Sequence, residues 1–388
     1  MKTKIIFLLL IIFLIVITFF SACKDAIFYH ISQEIEIVPP MIEGSPTNIV
    51  LFNGRVYVAS GKKLYSYRNK QIDTDRKENW LSESPGIYIG QLAATEDYLY
   101  ALCYDDNSAV IKRRDKSGQW EDALKNVDNT EYTIIQKIYS ANNKLYIGAQ
   151  KSNENEYAVH VMDSNGVLEE RNFITGIIKL SLRGACFNGT DVFLCTGSGI
   201  YINDILIENS GKDFNGIITL DDSTVVAITR KGSLYRVDVT DEKLDEKLIT
   251  SIPDGRCSTG AIALWQEDSS SENWLLLVGR TEIEYSTSTG HTYGYLELEL
   301  KQDGGLVMNI REDDGKEESG RNFKEPGKSH PTTVDGYESY SSSMGAIPIN
   351  SIYQVPSEVD ARMPIFASTQ KDGVWSCRDK IWNAETDN

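Results

Sequence analysis

Six cysteines, four histidines and three pairs of adjacent aspartates are the groups in this chain with the makings of chemistry. Cys23 stands apart from the rest, directly behind Ser21 and Ala22 at the end of an apolar run. Cys103, Cys186, Cys195, Cys257 and Cys377 are dispersed, and an odd number leaves at least one thiol in a monomer. Cys186 and Cys195 flank the turn Asn188-Gly189-Thr190-Asp191. If Phe187 pairs with Val192, Cys186 faces Phe193 and is only diagonal to Cys195, too distant for an easy disulfide. Buried thiols are the expectation. No Cys-x-x-Cys spacing supports zinc. His30, His160, His291 and His330 lie far apart, and His160, on a strand, reads as structural. Asp105-Asp106, Asp221-Asp222 and Asp313-Asp314 lack the alternating spacing of a calcium loop and read as solvated turns. There is no glycine-rich phosphate loop and no Gly-x-Ser-x-Gly. Neither catalysis, metal nor cofactor is expected.

The leader supplies the context for Cys23. Met1-Lys2-Thr3-Lys4 is basic, Ile5 to Phe20 is apolar apart from Thr18, and small residues follow, the order of an export signal. Phe20-Ser21-Ala22-Cys23 resembles the lipobox of bacterial lipoproteins of the spirochaete type, with Phe20 where many have Leu. That resemblance implies a signal peptide over 1–22 and an acylated Cys23 as mature N-terminus. The protein would then sit in the bacterial cell membrane or outer membrane, facing periplasm or cell surface, held by two or three acyl chains. Residues 23–46 read as the lipidated start and a tether, punctuated by Pro39-Pro40 and Gly44-Ser45-Pro46.

From residue 47 onward one short pattern recurs. Asn53-Gly54 is a turn dipeptide, and Val56-Tyr57-Val58-Ala59 after it is apolar–aromatic–apolar–small. Leu99-Tyr100-Ala101-Leu102, Leu145-Tyr146-Ile147-Gly148, Val192-Phe193-Leu194-Cys195 and Val225-Val226-Ala227-Ile228 repeat it. Leu275-Leu276-Leu277-Val278 and Pro364-Ile365-Phe366-Ala367 complete the set. The interval is mostly about forty to fifty residues, as in four-stranded propeller blades. No helical period appears beyond the leader. The expectation is an all-β fold: a β-propeller of seven four-stranded blades over 47–388, with six or eight blades as alternatives. In repeat grammar the chain resembles bacterial WD40-like and two-component-regulator-like propellers, although it has no Trp-Asp or Gly-His signature. Ser286 to Tyr293 resembles a degenerate Asp-box of sialidase propellers, with Ser288 at the acid position.

One stretch departs from the repeat. Residues 311–346 are polar and almost free of aliphatics, and read as a long insertion loop between the sixth and seventh blades. Tyr337, Tyr340 and Ser341 are its candidate binding residues, because Tyr and Ser suit adaptable contacts. The net charge of −17 disfavours nucleic acid. The functional expectation is a membrane-anchored scaffold for binding or assembly, not an enzyme, with an unknown protein or glycan as partner. A propeller-type envelope glycosidase or lyase, and a subunit of an outer-membrane assembly complex, are the alternatives.

Overall fold

The computed structural model describes residues 41–75, 77–105, 108–125, 132–151, 157–164, 166–171, 181–203, 205–207, 210–221, 224–238, 243–251, 256–266, 274–282, 295–302, 306–309, 321–322, 341–342, 348–378 and 381–385. Pro40–Asn388 forms one compact unit. Among the described residues all regular structure is β, arranged as seven sheets that follow one another along the chain, antiparallel but for one short strand in the last. Sheet one holds Val50–Phe52, Arg55–Ser60, Lys63–Tyr67 and Trp80–Glu83 in that order. Sheets two to five repeat the four-stranded plan, starting at Tyr88, Tyr132, Leu182 and Phe214. Sheets six and seven, starting their antiparallel series at Arg256 and Ile349, each carry a fifth strand.

The turns are local chemistry. Asn53 and Gly54 both have positive φ, 47° and 67°, which gives a two-residue hairpin the twist of its strands. Asn188 accepts hydrogen bonds at Oδ1 from the backbone of Thr190 and Asp191, so the Asn-Gly-Thr sequence is a turn built by its own side chain. Phe187 pairs with Val192 and Cys186 with Phe193, the register read from the sequence.

Each second strand is buried on both faces, which explains why its sequence is a continuous apolar run rather than an alternation. Val56 and Val58 pack with Phe366 and Val374 of sheet seven. Tyr57 and Ala59, on the opposite face, pack with Leu92, Leu99 and Ala101 of sheet two. The same two-sided burial continues from sheet to sheet, and the ring closes where sheet seven meets sheet one.

Polar groups reinforce the closure. Tyr67 stands edge-on to Phe366, with centroids 4.8 Å apart. Trp80 Nε1 donates to Glu385 Oε2 at 2.8 Å, and Ser376 and Arg378 donate to Glu385 Oε1. Tyr67 donates its hydroxyl to Asp360 Oδ2 at 2.7 Å, and Arg362 donates to both Asp360 oxygens. Burial pushes the Asp360 carboxyl up, but the bonds from Arg362 and Tyr67 outweigh it and hold the carboxyl below its ordinary range. A folded-state value below the unfolded one stabilises above the unfolded pKa of about 3.9 and is lost as pH falls through the folded value. Melting temperature followed downward from pH 5 is therefore expected to drop less in Asp360→Asn, already destabilised, than in the parent. Parallel acid profiles would remove Asp360 from the closure.

Residues 41–46 differ from the tether read in the sequence. Met41 donates its amide to the Glu385 carbonyl at 2.9 Å, and Gly373 donates to the Gly44 carbonyl at 3.0 Å. Ile42 is fully buried between sheets one and seven. Within 311–346 the described residues are two short strands. Arg321–Asn322 pairs with Leu296–Glu297 of sheet six, and Ser341–Ser342 pairs in parallel with Ile381–Trp382 of sheet seven.

Candidate functional site

The first strand of each sheet lines the axis, and in sheets two to seven it carries a register shift at a corresponding place. The shifts fall between Ile89 and Gln91, Ile135 and Lys137, Leu182 and Gly184, Phe214 and Gly216, Cys257 and Ile262, and Ile349 and Ser351. A bulge turns a side chain out of the ladder and sideways. Here it places polar side chains against the neighbouring sheet. Arg183 donates to the Phe214 carbonyl at 3.0 Å and pairs with Asp213. Asn215 donates to the Cys257 carbonyl at 2.5 Å and accepts from Thr259 at 3.0 Å. Asn350 donates to the Pro46 carbonyl at 3.0 Å.

Amides next to these points make two-way clips. Asn48 donates to the Leu92 carbonyl at 2.7 Å and accepts from the Leu92 amide at 2.9 Å. Gln91 does the same to Ile138, at 2.6 and 3.1 Å. Ser258 donates to the Ile349 carbonyl, and Ile49 donates its amide to Ser351 Oγ at 3.3 Å. A buried backbone group left unpaired is costly, so each clip satisfies two groups that the bulges would otherwise strand.

These strands enclose a cavity of about 500 Å3 on the axis. Its lining comes from residues 45–49 and from the first strands of sheets two, three, six and seven. Tyr139 of sheet three reaches across the axis, so that a Cβ added to Gly260 of sheet six would lie 3.9 Å from its ring. Gly260 has a φ of 73°, in the left-handed region that glycine adopts without strain. Burial pushes the Tyr139 phenol well above its ordinary range. Lys137 lies two residues before Tyr139 and therefore on the same, axial side of the strand. It is open to the cavity yet ringed by protein, and desolvation holds its ammonium below the ordinary lysine range. At the rim, Tyr88 and Tyr104 pair at 6.4 Å, and the Tyr104 ring lies over Gly90, where a Cβ would fall 2.2 Å from it.

Comparison with solved structures places this ring. YCF48 from Cyanidioschyzon merolae matches with a TM-score of 0.50 at 11% identity, over 87% of this chain and 96% of that one. The fold is a β-propeller. The extracellular domain of the hybrid two-component system BT4673 from B. thetaiotaomicron gives a TM-score of 0.48 at 13% identity, over 86% of this chain. The surface component PorZ of the Porphyromonas gingivalis type-IX secretion system gives 0.48 at 10%, over 90% of this chain. This chain spans 38% and 39% of the length of those two proteins. No protein-family model matches, and no curated protein matches.

Among the described residues, none of those singled out as candidate sites in the sequence lines the cavity. Cys23, Tyr337 and Tyr340 lie outside the described residues, as does the Asp-box-like stretch from Ser286 to Tyr293. Ser341 begins the short parallel strand at the outer edge of sheet seven. His160 is buried on the strand Tyr157–Met162 of the propeller, as a structural side chain would be. Cys103 and Cys195 are buried and form no disulfide, and burial pushes the Cys103 thiol up to about 11 and Cys186 to about 12. Such thiols stay protonated near neutral pH and make poor nucleophiles. Among the described residues no group of three metal-ligating side chains comes together. Sequence reading passed over Asn48, Gln91, Lys137, Asn215 and Asn350. Their one signal is a polar residue eight to fourteen positions before the core motif, in or beside a short apolar strand.

Proposed function

We propose that the protein is an exported, lipid-anchored binding or assembly scaffold of the bacterial cell envelope, in which each of the seven sheets is one propeller blade. The observation that carries the binding reading is the axial cavity. Its amides and hydroxyls hold blade to blade and are not presented to a reacting group, while a lysine and tyrosines face the open space. The anchor rests on the basic, apolar and small-residue order that ends at Cys23. Tyr337, Tyr340 and Ser341 are proposed contacts for a protein or glycan partner.

In Cys23→Ala, acyl labelling should disappear and the protein should move from the membrane pellet to the soluble fraction, because no acyl chain remains to hold it. Unchanged labelling and retention would remove the lipoprotein reading. Affinity purification of the detergent-solubilised parent tests the scaffold itself, by what accompanies it.

A further inference from the structure

We propose that the axial cavity binds a small organic anion, a ring-bearing carboxylate held by Lys137 and seated against Tyr139 and Tyr88. The proposal deepens the binding reading of the propeller and rests on it, but not on the membrane anchor.

Charge comes first. Lys137 is the one charged residue among the described lining, in a chain whose net charge is −17. Among the described residues it has neither an ion-pair nor a hydrogen-bond partner. A lysine that opens onto the cavity with no counter-ion among the described residues is an unfilled half of a pair, and an anion completes it.

The rest of the lining says what kind of anion. Asn48, Gln91, Ser258, Thr259 and Asn350 are committed to bonds between blades. Few side-chain amides remain to read a ligand rich in hydroxyls. What the cavity presents instead is tyrosine rings, at Tyr88 and Tyr139, around one cation. Its volume of about 500 Å3 is far larger than acetate or inorganic phosphate needs, and falls in the range of small-molecule sites. A flat apolar body with one carboxylate matches both parts.

The test is calorimetric titration of the full-length protein with benzoate, phenylacetate and indole-3-acetate. Benzyl alcohol, glucuronate and inorganic phosphate serve as the uncharged, hydroxyl-rich and inorganic arms. At least one ring-bearing carboxylate should saturate, with benzyl alcohol at least about tenfold weaker, as a charged hydrogen bond implies. Lys137→Gln should bring the carboxylate down to the alcohol, and Lys137→Arg should keep most of the preference. Circular dichroism and melting of each variant separate loss of binding from loss of fold. Three results would overturn the proposal: no saturation by any carboxylate, tighter binding of phosphate or glucuronate, or carboxylate affinity unchanged in folded Lys137→Gln. If Lys137→Gln does not fold, parent affinities for carboxylate and alcohol within a factor of two of each other would overturn it. A protein partner retained by the parent in affinity purification while the carboxylates fail would leave the scaffold standing and remove only this site.

Discussion

Glu385→Ala should lower the free energy of unfolding by about 3 kcal/mol, the scale for removing one partner of a buried ion pair. Glu385 is 2% exposed and collects three donors, from Trp80, Ser376 and Arg378. Its removal takes an acceptor from all three at the place where the ring closes, and leaves Arg378 its bond to Ser376. Burial opposes the charge on Arg378 and the pull of Glu385 outweighs it; in the variant that pull is gone, but a guanidinium is too basic to lose its proton, so the arginine stays charged. Glu385→Gln keeps acceptor oxygen but not charge, and should fall between the variant and the parent. Replacing both Glu385 and Arg378 by leucine and methionine should recover part of the loss, because the uncompensated charge is then gone. Urea midpoints with unchanged slopes provide the measurement. A loss under about 0.5 kcal/mol, the size of an ordinary surface change, would mean that the network does not hold the closure.

Gly148→Val should be comparably damaging for the opposite reason. Gly148 lies in the second strand of sheet three, and a Cβ there would fall 2.9 Å from the Leu182 Cβ of sheet four. Leu182 begins its own strand and its backbone nitrogen is 3.6 Å from the same point, so room appears only if the two sheets separate. Overpacking of this kind costs about 3 kcal/mol for a branched side chain, and less for alanine. The expected order of melting temperatures is parent, Gly148→Ala, Gly148→Val. If valine melted with the parent, the contact between sheets three and four would have to be looser than the distances say.

The two variants also mark what was and was not readable. Gly148 stands in the small position of a motif that recurs along the chain, and its neighbours Leu145, Tyr146 and Ile147 are buried as that motif implies. Turns, second strands and the Phe187–Val192 register were legible because each depends on residues near in sequence. Glu385 was opaque, since nothing near it hints at Trp80. Asn48, Gln91 and Asn215 were opaque for the same reason: their partners lie forty or more residues away, in a neighbouring sheet. Lys137 reads as one more surface lysine until the bulge and Tyr139 set it on the axis. Residues 41–46 looked like linker because Gly44 and Pro46 punctuate them, while Ile42, with Met41 beside it, carries the apolar contact that binds them down.

That short segment has a further consequence. Met41 and Glu385 touch through their backbones, so the two ends of the described propeller leave from one spot. The ring then has no privileged starting blade in its packing; the order of the chain is a cut, made between sheets seven and one. A circularly permuted gene, with those ends joined by a short linker and new ends opened at the Asn142-Asn143 hairpin, would encode the same circle cut elsewhere.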